Sequence, residues 1–550
     1  MKICIASDVH CGYGENKKYV YEDSFEAFEE VLMKASSEKC DFVLLGGDLF
    51  HENQPSRDTQ LRVMRLIRQH CLSGPETSLK VKSNGEETFA TTCFKRANIE
   101  DENLTVSIPI FTIHGNHDDL SGKGQTAVDL FHEAGVLNLF GKFENVKYFE
   151  VNPVLLEKEN EDGSVSKVAL YGISSQRDDR LARAFQSGHV KFNKPDDYQD
   201  YFNVLVMHQN RPKRSNLRTT GSYIPTDLLP GFIDLVLWGH EHASIIEPER
   251  VLSKDGEEFS ILQPGSTVAT SLCPDEAMEK HCFILDSRYD VRDPVITPLK
   301  LESCRQVIYE DVDLDGLHVM PPCEHIRTVD MEDEQFLHNK MKQILKDAEA
   351  NRNDLQPELP LVRLRVHYNG RWKDVPAIVP RKFGQAYVDK VANPSDIIMP
   401  KTYRTSERKK VSASHIKKED ERVVNVETLV KNHFKAVKGE DRLAILNVET
   451  MNKALEEYGD IETTVYTKVE KKFNEALKQQ LKMYVHKINE LTSESVEDTS
   501  IRDYKDFEQC VGQCIYRDLE EESEDIKPDI AMRDIKEEKE NVSDSEILWD

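Results

Sequence analysis

Short apolar runs recur at uneven intervals through the first 290 residues, at 2–7, 42–45, 110–113, 168–171, 203–207, 233–238 and 283–285. Apart from Thr112, Asp234 and the end residues Lys2, Ser7 and Asn203, they are apolar throughout, the pattern of strands covered on both faces. Between several of them apolar residues fall at helical spacing, at 24–35, 59–70 and 126–133, so residues 1–295 read as one α/β domain with a covered sheet. Residues 72–107 are polar and lack period, and are expected to form an insertion loop, functional or disordered. Beyond 300 the texture changes. A helical stretch at 334–350 precedes 361–368, where apolar and basic residues alternate, which predicts a half-exposed strand in a smaller α+β domain over 296–400. Its outward Arg363, Arg365 and His367 suit either phosphates or a solvated face.

A basic linker is expected over 401–425. Helical spacing returns over 426–490, where Val465, Val469, Phe473, Leu477, Leu481, Tyr484, Val485 and Ile488 form a stripe. Residues 491–550 are acidic and expected to be disordered.

Five of the strand-like runs end alike. They lead into Asp8-Val9-His10, Gly46-Gly47-Asp48, Gly115-Asn116-His117-Asp118, His208-Gln209-Asn210 and Gly239-His240-Glu241-His242. The carboxyl ends of strands in an α/β sheet line the crevice where ligands bind, so these residues are expected to converge. Nitrogen and oxygen donors without cysteine favour manganese, iron or catalytic zinc over structural zinc. Seven donors exceed one ion and suit two, about 3.5–4 Å apart and sharing a carboxylate. The i, i+2 spacing of Asp and His is read as an extended segment whose alternate side chains point the same way.

Charge modifies this picture without overturning it. The formal net charge is −27, but residues 517–550 alone hold 14 acids against 5 bases, whereas 401–418 holds seven bases against one acid. In physiological salt, charges beyond about 8 Å are largely screened, so an acidic tail need not silence a basic face. Eleven cysteines at irregular spacings suggest reduced thiols, and no run approaches the roughly 18 apolar residues of a membrane span. A soluble intracellular chain is expected.

The motif order resembles the calcineurin-like metallophosphoesterases, a β-sandwich flanked by helices. The longer strings GGDLFHENQPSR, IHGNHDD, MHQNR and LWGHEH resemble the double-strand-break repair nucleases of the meiotic recombination eleven family. The likeness is dense over 2–285, recognisable through PLVRLRVHY and VDKVANPSDII, and diffuse beyond.

The resemblance implies two Mn²⁺ ions. One would be held by Asp8, His10, Asp48 and His242, the other by Asp48, Asn116, His208 and His240. It implies His117 as the catalytic imidazole, oriented by Asp118, and ties His51 to exonuclease action; His114 reads as structural. Arg211, Lys213, Arg214 and Arg218 would grip the DNA backbone, unless they are a solubilising surface cluster. The family also implies a nuclear protein and a homodimer through Leu61, Met64 and Ile67. It implies a coiled-coil ABC-type ATPase of the radiation-sensitive-fifty family, gripped by Phe473, Leu477 and Leu481, and a nibrin-like regulatory subunit. Two other readings stay open. One is a phosphoprotein phosphatase of the same superfold, although Leu49-Phe50-His51-Glu52 stands where those enzymes carry Asp-Arg-Gly. The other is an architectural tether of DNA ends.

Overall fold

The computed structural model describes residues 1–118, 125–143, 145, 147–211, 223–253, 255–287, 294–316 and 332–402. The helical segment 426–490, the tail 491–550 and all but the start of the linker lie outside them. The described residues belong to one compact unit, Met1–Glu407.

Two sheets pack face to face. The six-stranded sheet has the spatial order Val295–Lys300, His281–Asp286, Lys2–Ala6, Phe42–Leu45, Ile110–Thr112 and Asn138–Leu139. The seven-stranded sheet runs Glu249–Leu252, Glu258–Leu262, Leu235–Gly239, Phe202–His208, Val165–Ile173, Val154–Glu159 and Lys80–Val81. The strands that carry the motifs pair in parallel at the centre of each sheet, with Ile3 opposite Phe42, Val43 opposite Ile110 and Val204 opposite Leu235. Their carboxyl ends therefore share one edge.

The apolar runs follow from two-sided cover. Ile3, Ile5, Phe42, Leu44 and Phe111 face the other sheet, meeting Val168, Leu170, Val204, Val206 and Leu237. Cys4, Val43, Leu45 and Ile110 face outward against helices Asp23–Ser37 and Arg57–Cys71 through Phe28, Val31, Leu32, Val63 and Ile67. Burying each such side chain stabilises the fold by roughly 1.5–3 kcal/mol.

Helix Arg57–Cys71 starts where Ser56 Oγ accepts from Thr59 N, and it buries Thr59, Val63, Ile67 and Cys71. Ile67 is thus wholly inside its own chain and has no surface for a partner. Met64 is half-buried against the same core, and Leu61 alone of the expected dimer residues is well exposed, at 52%.

Residues 72–107 are not a structureless loop. Lys80–Val81 adds an antiparallel edge strand beside Val154–Glu159, Phe89 and Ala97 enter the core between the sheets, and the Asn98 main-chain N–H donates to Asn138 Oδ1 while Asn138 Nδ2 donates to Asn98 Oδ1. A few widely spaced anchors carry this order, and no local period announces them.

A third, three-stranded parallel sheet, Val307–Asp313, Leu361–Tyr368 and Ile398–Thr402, packs on helix Glu332–Asn351 through Val362, Leu364, Val366, Leu337, Met341 and Ile344. Arg305 ties this layer to the first. Its guanidinium forks onto Asp23 at 2.7 and 2.6 Å and bonds the Leu359 carbonyl at 2.5 Å and that of Tyr19, with Arg305 and Asp23 side chains each 6% exposed.

Candidate metal centre

The ends of the five strands meet where the two sheets share an edge. Asp8, His10, Asp48, Asn116 and His117 come from the six-stranded sheet, and His208, His240 and His242 from the seven-stranded one. The loops are locked to each other by main-chain bonds, Asp8 N to Gly47 O (3.1 Å) and His10 N to Asp48 O (2.9 Å). Five non-glycine residues have positive φ among the described residues, and four are here: Asp8 (52°), His10 (51°), Asp48 (53°) and His240 (81°). Such conformations cost roughly 1 kcal/mol or more each and cluster where function requires them. They also correct one expectation. Asp8 and His10 converge because both residues turn left-handed, and the extended alternation inferred from their spacing is absent.

Glycines give the carboxylate room. A Cβ on Gly115 would lie 1.9 Å from Asp48 Oδ1, and Gly47, at φ 98°, would carry one 2.7 Å from His208 Nδ1.

The donors fall into two overlapping groups. In the first, His10 Nε2 lies 3.2 Å from His242 Nε2 and 3.7 Å from Asp48 Oδ2, and His242 Nε2 lies 3.7 Å from Asp8 Oδ1. In the second, His208 Nε2 lies 3.3 Å from Asp48 Oδ2 and 3.0 Å from Asn116 Oδ1, which is 2.8 Å from His240 Nδ1. Asp48 belongs to both. The outer ring atoms fix the protons: His208 Nδ1 faces the Gly46 carbonyl at 2.9 Å and His242 Nδ1 faces Glu276 Oε1 at 3.0 Å. Both partners only accept, so the protons sit on Nδ1 and the Nε2 lone pairs turn inward.

Inward lone pairs beside two buried carboxylates and an amide oxygen leave a space that a cation satisfies and a neutral molecule does not, so the donor set fits divalent metal. The protonation tendencies report the same concentration of charge. Burial alone would raise the Asp48 carboxyl, but His208, His10 and His117 hold it below the usual carboxylate range. Burial opposes charging of His208, yet Asp48 and Asp8 raise it to about 10, so a cation that takes the Nε2 lone pair displaces a proton from it. Burial lowers His10 well below the ordinary imidazole value despite Asp48.

Beside this cluster stands His117. Its Nδ1 lies 2.5 Å from the His51 carbonyl and its main-chain N–H donates to Asp48 Oδ1 at 2.8 Å. The His117 ring stacks on His51 with centroids 5.1 Å apart, and His51 Nδ1 lies 3.4 Å from His10 Nδ1. His117 is thus oriented by the His51 carbonyl and not, as expected, by Asp118. The Asp118 carboxylate instead accepts from the main-chain N–H groups of Leu49, Phe50 and Gly115 at 3.2, 3.1 and 3.1 Å, clamping two of the loops together. Burial, then the Asp48 charge, raises it to about 7. His114 is structural as expected, buried 2.9 Å from Thr126 Oγ1.

The expected DNA-gripping cations fare differently. Arg211 is spent internally, with Nη2 2.6 Å from Glu249, Nη1 2.8 Å from Gln263 and its guanidinium over Trp238; its side chain is only 11% exposed. Arg363 pairs with Asp396, and Arg365 forks onto Asp311, which also meets His367 at 2.9 Å. All three charges are compensated within the chain, which sequence spacing does not reveal because the acids lie 33 to 54 residues away. Lys213, Arg214, Arg218, Phe473, Leu477 and Leu481 lie outside the described residues. Glu276 was not foreseen from the sequence: it sits 34 residues past His242 in an irregular segment without a motif.

Two family descriptions match the chain, the calcineurin-like phosphoesterase over residues 1–244 and the Mre11 DNA-binding presumed domain over residues 294–458. The chain is similar to the double-strand break repair protein mre-11 of Caenorhabditis elegans, 38% identical over 98% of this chain and 76% of the relative. It is 37% identical to MRE11 of Homo sapiens over 84% of this chain and 64% of the relative, and 34% identical to that of Gallus gallus over 96% and 73%.

Proposed function

Because the chain belongs to the Mre11 family of double-strand-break repair proteins and is a metal-dependent phosphoesterase, we propose that it is a manganese-dependent DNA nuclease with single-strand endonuclease and 3′→5′ exonuclease activity. The observation that carries the reading is the convergence of Asp8, His10, Asp48, Asn116, His208, His240 and His242 beside the half-buried ring of His117. Asp8, His10, Asp48 and His242 would hold one Mn²⁺, and Asp48, Asn116, His208 and His240 the other. Bound there, the cations supply Lewis acidity and an activated water to a phosphodiester.

The chain's own groups then divide the remaining work. His117 keeps Nδ1–H on the His51 carbonyl, which leaves Nε2 to hold a proton toward the leaving oxygen. Its main-chain N–H steadies the shared carboxylate of Asp48. His51 presses its ring against both His117 and His10, so it sets the angle at which the acid meets the substrate. Asp118 keeps the Asp48 and His117 loops at fixed separation.

Family membership further supports nuclear action on broken DNA ends as a homodimer, with Leu61 and the edge of Met64 at the contact. It supports an ABC-type ATPase bound by the apolar stripe of 465–488 and a nibrin-like third subunit. Replacing Phe473 and Leu477 with Glu should abolish ATPase capture while sparing cleavage. The primary test incubates the purified chain with end-labelled single-stranded, duplex and hairpin DNA in Mn²⁺, Mg²⁺ and Zn²⁺. Cleavage in Mn²⁺ is expected, and intact DNA in all three metals overturns the proposal.

A further inference from the structure

The two candidate ion positions differ in what holds their imidazoles. At His208 the anchor is main chain, the Gly46 carbonyl, which no side-chain substitution removes. At His242 the anchors are side chains, the Glu276 carboxylate and beside it the Thr270 hydroxyl, 3.1 Å from Nδ1, and the carboxylate is itself built in. Glu276 Oε1, 3.0 Å from His242 Nδ1, also accepts from Thr270 Oγ1 (3.0 Å) and Ser271 N (3.1 Å), while Oε2 accepts from Thr270 N (2.8 Å). Lys280 Nζ lies 3.8 Å from Oε2 and donates to Ser266 Oγ at 2.8 Å and to the His242 carbonyl at 3.4 Å. The Glu276 and Lys280 side chains are each 5% exposed. Four contacts on one buried carboxylate leave it a single position, and that position dictates where the His242 lone pair points.

The anchor also lies at a seam. Glu276 and Lys280 line a cavity of about 520 Å³ whose far wall includes Arg305, Ile308, Ile344 and Leu361 of the third-sheet layer. His208 has no such exposure to that layer, because its anchor lies within the sandwich, at the end of Phe42–Leu45.

We infer that Glu276 is a positioning residue that governs only one of the two ion positions, the one bounded by Asp8, His10 and His242. The inference rests on the ligand assignment proposed above. Without its carboxylate, His242 Nδ1 keeps only the Thr270 hydroxyl at 3.1 Å, which can donate as well as accept; the ring can then carry its proton on Nε2, which removes one inward lone pair, while His208 and His240 are untouched. Outer carboxylates of this kind typically contribute 10–100-fold to metal affinity.

The test is Mn²⁺ titration of the full chain by calorimetry and electron paramagnetic resonance, with Glu276→Ala, Glu276→Gln and Thr270→Val beside the wild type. Wild type should bind two ions. Glu276→Ala should lose about 10–100-fold at one of them and nothing at the other. Glu276→Gln, whose amide oxygen can still accept the Nδ1 proton, should lose less at the same ion. Thr270→Val, which removes one tether of Glu276 and the hydroxyl beside His242 Nδ1 but keeps the carboxylate and its charge, should likewise lose less than Glu276→Ala at the same ion. Unchanged affinities in Glu276→Ala, or equal loss at both ions in the isosteric Glu276→Gln with an unaltered thermal midpoint, overturn the inference. A wild type that binds fewer than two ions overturns instead the ligand assignment beneath it.

Discussion

Gly115→Ala should empty the metal centre without altering a donor. The new methyl carbon would sit 1.9 Å from Asp48 Oδ1, 2.6 Å from its Cγ and 2.4 Å from its main-chain nitrogen. Rotating the carboxylate relieves the first two contacts, but the third is backbone and cannot swing aside. Asp48 would have to retreat by about 1 Å to reach ordinary van der Waals contact, whereas metal–ligand bonds tolerate about 0.2 Å. The same retreat breaks the bond from His117 N to Asp48 Oδ1. Overpacking of this kind costs about 1–3 kcal/mol, which a large two-sheet core survives. The expected variant is folded, melts cooperatively, holds no manganese by elemental analysis and leaves DNA uncut. Retention of two ions would show that this close approach does not set the position of Asp48.

His117→Asn should keep both ions and lose about 10²–10⁴-fold in cleavage, since it removes a proton donor and no ligand; loss of metal in a Mn²⁺ titration would refute the role. Arg305→Ala strands a buried Asp23 carboxylate and two carbonyls, so urea denaturation should report a loss of about 3–5 kcal/mol, and an unchanged midpoint would count against the buried pair. Burial lowers His114 from 6.5 to about 4 in the fold. The folded chain therefore binds fewer protons than the unfolded one below pH 6.5, and stability present above 6.5 falls as pH drops toward 4, by roughly 3 kcal/mol in all. His114→Gln should flatten that part of the stability profile, and an equal slope in both proteins would refute it.

The strand-end motifs were legible because parallel strands must deliver their carboxyl ends to one edge, so order along the chain sufficed to place Asp8, Asp48, Asn116, His208 and His240 together. Orientation was not legible. The Asp8–His10 spacing suits an extended segment, and only the paired loops show that both residues adopt positive φ. Asp118 looked like a partner of His117 because it is adjacent; in the fold its carboxylate turns to three amides, and those of Leu49 and Phe50 were concealed by sequence distance. Arg211, Arg363 and Arg365 read as free cations for the same reason, their acids being remote in the chain. Glu276 left no signal at all, since a lone glutamate in a polar turn gains its meaning from burial.

The division of donors between the two sheets makes cation concentration a thermodynamic variable of the whole sandwich. Neither sheet alone carries a full set, so ions bind the assembled fold and not the unfolded chain, and each adds RT ln(1 + [L]/Kd), about 2.7 kcal/mol at a hundredfold excess over Kd. The melting temperature should climb with free Mn²⁺ and fall under a chelator, and in the stripped protein amide exchange should quicken first in the loops after Ala6, Leu45 and Gly239. A melting curve insensitive to manganese would mean that the sheets need no ion to stay closed at this edge.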